Sequence, residues 1–232
     1  MLQTIDFDVF EVKPGEVMVD VGCGTGRHSL TDKICDATII SLDKDEDCLE
    51  EIEYKLGGPQ KHHNGNRIYL IRGEALKLPF PDQSIDMVVC SEVLEHISSF
   101  EDCLTEIHRV LKPGGNLAVS VPTHFSEIFI DALADEYLGK SGGHVHVFKR
   151  KELIEIVENN GFKIWETDAG HSLHFFYWLL RAFFGIEEED NLIPNIYRSF
   201  LENIDGSEFW ETVEDNLNKL VPKSTIIYAE KA

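Results

Sequence analysis

Three groups of residues in this sequence have the types and spacing to do chemistry. The first is Asp20, Gly22, Cys23, Gly24 and Gly26, which closes the apolar run of Val17, Met18, Val19 and Val21. Alternating glycines let a backbone turn tightly and lie against a ligand with no Cβ between. The run ahead of them is short and β-branched, as a strand buried on both faces is. A strand, a glycine turn and a helix opening at Arg27, His28 and Ser29 would form the first half of a doubly wound nucleotide-binding sheet. The second is Asp43, at the end of the apolar run Ala37–Leu42 and 17 residues beyond Gly26. That is close to the roughly 20-residue offset of an acid that takes ribose hydroxyls. Its two oxygens can accept from both hydroxyls, or it can cap a helix instead. The third is Glu92, Glu95 and His96, within Ser91–Ile97 (SEVLEHI) and just past a fourth apolar run, Ser84–Cys90. A helical turn starting near Glu92 would set these three on one face. Histidine is the usual proton acceptor near neutral pH, so His96, His144 and His146 are the candidate bases, with His124 behind them.

The ligand class follows from spacing. A dinucleotide fingerprint reads G-x-G-x-x-G, with its third glycine one place later than here. Asp20 would also be a poor neighbour for a pyrophosphate and a good one for an ammonium group. The pattern resembles motif I of the class I S-adenosylmethionine (SAM)-dependent methyltransferases, whose methyl donor has an amino acid end, a sulfonium cation and no phosphate. Arg109–Pro122 (RVLKPGGNLAVSVP) resembles the same family, particularly the type 11 branch that includes quinone-biosynthesis methyltransferases. Motif I, Asp43, SEVLEHI and VLKPGG occur in the family's order and cover roughly residues 13–170. The resemblance implies donor contacts from Asp20, Gly22, Cys23, Gly24, Gly26, Asp43, Lys44 and Ser91. It also implies adenine contacts from Glu74 and Ala75, past a third strand at Arg67–Arg72. Glu92, Glu95, His96 and His144 further resemble the E-x-x-E-H plus distant histidine that binds a divalent ion in small-RNA 2′-O-methyltransferases. Zn²⁺, Mn²⁺ or Fe²⁺ held there, or less comfortably Mg²⁺, would lower the pKa of a hydroxyl acceptor. The alternative is acids matching the dipole of a helix's first turn.

The implied fold is α/β: a doubly wound, seven-stranded Rossmann-like sheet with an antiparallel last strand and a helical insertion before it. Helices are predicted at Asp45–Leu56, Phe100–Leu111 and Lys151–Asn160. In the second of these, Cys103, Leu104, Ile107, Val110 and Leu111 point inward. Another lies within Thr123–Gly143, with an apolar face of Phe125, Ile128, Phe129, Leu133 and Leu138. Later strands fall at Asn116–Val121, Phe162–Thr167 and Thr225–Glu230. His62 and His63 belong to a solvated loop. Residues 1–170 with 224–232 form the expected core, and 171–223 the insertion. The insertion holds the aromatic run His174–Phe184, an acidic break at Glu187–Asp190, and helical stretches around Ile196–Ile204 and Phe209–Leu220. It reads either as helices packed on one another or as a cap with aromatic walls for an apolar or aromatic substrate. Relatives carry a leading helix over the cofactor, for which Met1–Glu16 leaves little room.

The length of 232 residues suits one domain, or one domain with an insertion. The net charge of -21 repels phosphate backbones, so free nucleic acid is not an expected partner and a small molecule is. The five cysteines are odd in number and form no C-x-x-C pair, as small buried residues in a reducing compartment would. No leader pattern and no apolar run of about 18 residues is present, which predicts a cytoplasmic protein without a membrane span. Oligomeric state is not legible. These readings converge on a SAM-dependent methyltransferase acting on an oxygen or nitrogen of a small molecule. The alternatives are a metal-assisted RNA 2′-O-methyltransferase, an NAD-dependent oxidoreductase on a similar sheet, and a non-catalytic partner protein of the same fold.

Overall fold

The computed structural model describes residues 3–58, 62–133, 144–184, 191–204 and 207–232. Strand β1 (Val17–Val21) lies at the centre of one sheet, flanked in parallel by β2 (Thr38–Asp43) and by β5 (Ile85–Ser91). Beyond β2 come β4 (Asn66–Arg72), parallel, and β3 (His62–His63), antiparallel. Beyond β5 come β6 (Leu111–Pro122), parallel to it, then β8 (Ser224–Lys231) and β7 (Phe162–Gly170), each antiparallel to its inner neighbour. The order β3-β4-β2-β1-β5-β6-β8-β7 makes eight strands among the described residues, where seven are expected. The extra one is the short run His62-His63, which pairs with β4 across Asn64 (φ 49°) and Gly65 (φ 79°). An Asn-Gly turn with both φ values positive matches the twist of a hairpin.

The sheet reverses direction of growth at β1, so the crevice for a ligand opens at the carboxyl ends of β1, β2 and β5. Helix α1 (Glu46–Lys55) starts from Asp45, whose side chain accepts from Asp47 N. Helix α2 (Phe100–Val110) buries Cys103, Leu104, Ile107 and Val110 completely against one face of the sheet. The other face is covered by the residues ahead of β1: Ile5, Phe7, Phe10 and Val12 are buried, and Phe10 stacks on Tyr228 with ring centroids 5.9 Å apart.

Two expected elements differ. The helix predicted to open at Arg27 does not form; residues 24–30 are turns. Ser29 and His28 are buried there and engaged elsewhere: Ser29 Oγ donates to Asp20 Oδ2 at 2.7 Å, and His28 Nε2 accepts from Ile5 N at 3.3 Å. Glycine, Ser29, Thr31 and Asp32 are also poor helix formers. Helix α3 (His124–Leu133) is turned over relative to its apolar pattern. Ser126, Glu127 and Ile130 are buried, whereas Phe125, Ile128 and Phe129 are about half exposed. The polar pair faces inward because Ser126 Oγ donates to the Thr123 and Lys223 carbonyls and Glu127 meets His144. The Leu133 side chain and Leu138 lie outside the described residues.

Helix α4 (Arg150–Asn159) covers β7 as expected. The insertion supplies α5 (Ser172–Phe184), α6 (Leu192–Ile204) and α7 (Glu208–Asn218); its acidic break at 187–190 lies outside the described residues. Leu173, Leu201 and Ile204, with Tyr177, Tyr197, Phe200, Trp210 and Leu217, form a small apolar cluster of their own. Cys23, Cys90 and Cys103 are buried as read, but Cys35, in an irregular stretch ahead of β2, is exposed, and Cys48, in the first turn of α1, is half-buried. Among the described residues no helix is long and apolar enough to cross a membrane.

Candidate active site

The glycine turn leaves β1 with Gly22, Gly24 and Gly26 at φ values of 68°, 50° and 90°. All three are in the left-handed region, where other residues are strained. Two anchors hold it on β2: Gly22 N and Cys23 N both donate to the Leu42 carbonyl, at 2.8 and 3.1 Å. Gly22 is also crowded, since a Cβ there would collide with Val93 Cγ2. Gly24 is the opposite case: nothing lies within 4 Å of where its Cβ would be. Gly24 N donates to Asp43 Oδ2 at 2.8 Å, and Asp45 N to Asp43 Oδ1 at 2.9 Å. Each carboxylate oxygen of Asp43 keeps further lone-pair capacity. Gly73 N donates to the Asp43 carbonyl at 2.9 Å, which brings the end of β4, and hence Glu74 and Ala75, beside this acid. Glu74 is exposed, as is Lys44.

A cavity of about 400 Å³ opens on the β5–β6 side of the turn and touches the turn through Arg27. Its walls include Glu92, Glu95 and His96 just past β5, Glu127 on α3, and His144. Helix α5 and the residue before it contribute His171, His174, Tyr177 and Trp178, and Lys223 and Ser224 close it. Glu92 does not begin a helix. Its φ of 58° turns the chain, and a short 3-10 turn follows at Leu94–His96. Glu92 therefore parts from Glu95 and His96: its Oε2 pairs with Lys223 Nζ at 2.7 Å, and its Oε1 accepts from Ser120 Oγ at 3.2 Å. Ser91 Oγ completes that chain with Ser120 Oγ at 2.8 Å. Glu95, His96 and His144 stay together, with one ligand atom from each within 4.8 Å of the others. His144 Nδ1 is 2.5 Å from Glu127 Oε2. His146 turns away: its Nε2 lies 3.2 Å from the Ser98 carbonyl and its ring packs on Phe100 and Phe148. His124 is half-buried on the first turn of α3.

Charges in this region are tuned by burial. Burial pushes the Glu92 carboxyl up, but the Lys223 ammonium more than offsets this and leaves it below the usual range. Burial and then the neighbouring Glu92 charge hold Glu95 well above that range. Burial keeps His171 neutral, reinforced by His174, Arg27 and Lys223. Beneath the glycine turn, burial raises Asp20 to about 6, against the lowering hydrogen bond from Ser29.

Asp20 gives a signed expectation for stability. Its folded pKa exceeds the unfolded value, so the folded state binds the extra proton, and Asp20's contribution falls as pH rises from about 4 to about 6. His28 opposes it, because burial lowers its pKa to about 3 and its contribution grows with pH up to the unfolded value. Comparing Asp20→Asn with the parent isolates the carboxyl. In denaturant titrations the variant should gain on the parent by about 2 kcal/mol between pH 4 and pH 7. A difference independent of pH would contradict a buried, desolvated Asp20.

Sequence reasoning missed Lys223, Glu127, His171 and Arg27 as wall residues. Glu127 was hidden inside a helix read by its apolar face, and Lys223 and His171 stand at the two ends of the insertion. Trp178 and Tyr177 were legible as part of an aromatic run.

The description "Methyltransferase domain" belongs to the family that matches residues 19–119. A demethylmenaquinone methyltransferase of Lactobacillus johnsonii is 29% identical over 178 residues, 68% of this chain and 72% of that protein. A sterol 24-C-methyltransferase of Kluyveromyces lactis is 27% identical over 186 residues, 79% of this chain and 44% of that protein. The chain spans less than half the length of the sterol 24-C-methyltransferases it matches. Among solved structures, a SAM-dependent methyltransferase from Methanosarcina mazei superposes with a TM-score of 0.62 at 16% identity, covering 99% of both chains. The cyclase SpnF has the same TM-score of 0.62 at 21% identity, covering 95% of this chain and 76% of that one. At such identities these two speak for the fold, and a shared fold is not a shared reaction.

Proposed function

We infer that this chain, which belongs to the class I SAM-dependent methyltransferases, transfers a methyl group from SAM to an oxygen or nitrogen of a small, largely apolar molecule. One observation carries the reading most: a glycine turn tied to Asp43 stands next to a cavity walled by histidines, acids and aromatic rings.

The residues fit the donor. Open space over Gly24 admits a ligand against the backbone, and Asp43, at the end of β2, has lone pairs left for ribose hydroxyls. Glu74 and Ala75, one strand over, serve the adenine end, and Asp20 below the turn favours a cationic amino acid end. Gly22, Cys23, Gly26, Lys44 and Ser91 complete this proposed set. Bound there, SAM supplies an electrophilic methyl carbon on a positively charged sulfur.

The chain's own contribution is to hold the acceptor in line and take its proton. Alignment alone is worth several orders of magnitude in rate. His144 is the better placed base. The Glu127 carboxylate at Nδ1 orients the ring and makes that nitrogen the donor, and the proposed proton acceptor is Nε2. That nitrogen would take the proton the acceptor loses on methylation. His96, whose ring centroid is 4.7 Å from that of His144, is the second candidate. His146 faces away from the cavity and has no part in this step. Residues 171–223 act as a cap on the core of 1–170 and 224–232, with Tyr177 and Trp178 as apolar walls. The relatives named for demethylmenaquinone and sterol support a small apolar acceptor.

Methyl-labelled SAM added with the protein to a fractionated cell extract tests this. Label is expected in small, solvent-extractable molecules. Label in RNA or protein, or none above a control lacking the protein, would overturn the reading.

A further inference from the structure

A second cluster of metal-ligand side chains lies on the insertion, and two of its members, His171 and His174, line the cavity. Strand β7 ends at Gly170, and the next residue, His171, has a φ of 66°. Histidine enters that left-handed region more readily than most residues. The bend sends the chain into α5, whose first turn is joined by Phe175 N donating to the His171 carbonyl at 3.1 Å. His171 and His174 are three residues apart, so they share one side of that turn. Their rings stand 5.4 Å apart and nearly perpendicular, at 82°. Glu214 comes from α7, some 40 residues later, and is only 8% exposed. Leu173 N approaches its Oε1 at 3.4 Å, and Asn218 Oδ1 accepts from Ser172 N at 3.0 Å, so α7 is docked on the start of α5. One ligand atom from each of His171, His174 and Glu214 lies within 4.8 Å of the other two.

We propose that His171, His174 and Glu214 bind one divalent transition-metal ion. Two imidazole nitrogens and one carboxylate oxygen suit Zn²⁺, Co²⁺, Fe²⁺ or Ni²⁺. Mg²⁺ and Ca²⁺ prefer all-oxygen shells and are disfavoured. The ligands come from two separate elements, so the ion joins the start of α5 to α7. His171 and His174 also line the cavity, so the ion stands in its wall with a coordination position open to an acceptor oxygen or nitrogen. That last step rests on the cavity being the acceptor site; the binding of the ion does not.

The test uses the full chain, stripped with chelator and titrated with Zn²⁺ in a calorimeter, with Co²⁺ absorbance as a second reading. One equivalent should bind, and the melting temperature should rise with it. His174→Ala and Glu214→Gln should each weaken binding by at least ~10-fold. His171→Asn, which tolerates the left-handed backbone, should do the same. Circular dichroism of each metal-free variant separates lost binding from lost folding. The double variant His96→Ala/His144→Ala keeps the binding if the ion sits on the insertion. It also decides the question should the ligand variants fail to fold. No saturable binding by the parent protein, or binding lost in the double variant, overturns the proposal.

Discussion

Asp43→Ala should lower the affinity for SAM by 100-fold or more while the protein stays folded. In the ligand-free protein the carboxylate accepts from Gly24 N at 2.8 Å and Asp45 N at 2.9 Å. Both donors sit just past the carboxyl ends of β1 and β2 on partly or fully exposed residues, where water can replace the lost acceptor. Loss of these bonds is expected to cost about 1 kcal/mol of stability. Binding loses more. Two hydrogen bonds from ribose hydroxyls to an ionised acid are worth roughly 1.5–3 kcal/mol each, which converts to ~10²–10⁴ in affinity. Asp43→Asn keeps one oxygen acceptor and should fall between. Calorimetric titration with SAM measures both, alongside thermal melts. Affinity of Asp43→Ala within threefold of the parent would remove this residue from the donor site.

Lys223→Met should destabilise the fold by about 3 kcal/mol at neutral pH, because it leaves the Glu92 carboxylate buried without its cation. The pair is close, 2.7 Å, and shielded, with side chains 16% and 14% exposed. Glu95 nearby adds a second acid that burial and Glu92 already hold above its ordinary pKa. The pH dependence has a definite sign. In the parent, burial raises Glu92 but Lys223 brings it below the unfolded value, so its contribution is present above about pH 4.5 and lost as pH falls. Without Lys223, burial dominates and the sign reverses. The gap between parent and variant should therefore widen as pH rises through 4.5 and shrink in acid. Glu92→Gln in the Lys223→Met background should recover most of the loss, giving a coupling that a double-mutant cycle reads directly. A loss under about 1 kcal/mol that ignores pH would mean water screens the pair.

What could be read from the chain alone was what is local. The apolar run at 17–21, three alternating glycines and an acid at the next strand's end specify a strand, a turn and a partner within 30 residues. Each rests on backbone geometry that neighbours in sequence control. The errors have tertiary causes. The helix at Arg27 was lost because His28 and Ser29 spend their side chains on Ile5 and Asp20. The face of α3 was inverted because Glu127 and Ser126 have polar partners more than ten residues away in His144 and Lys223. Glu92 was grouped with Glu95 and His96 on an assumed helix. The ion pair to Lys223, 131 positions later, places it otherwise. No spacing rule reaches across such a distance.

The account depends most on the ligand of the glycine turn, and titrating the parent protein with SAM and separately with NAD tests it most directly. One equivalent of SAM should bind, be displaced by S-adenosylhomocysteine, and be indifferent to NAD. Silence with SAM, or saturable binding of NAD that SAM fails to displace, would contradict it.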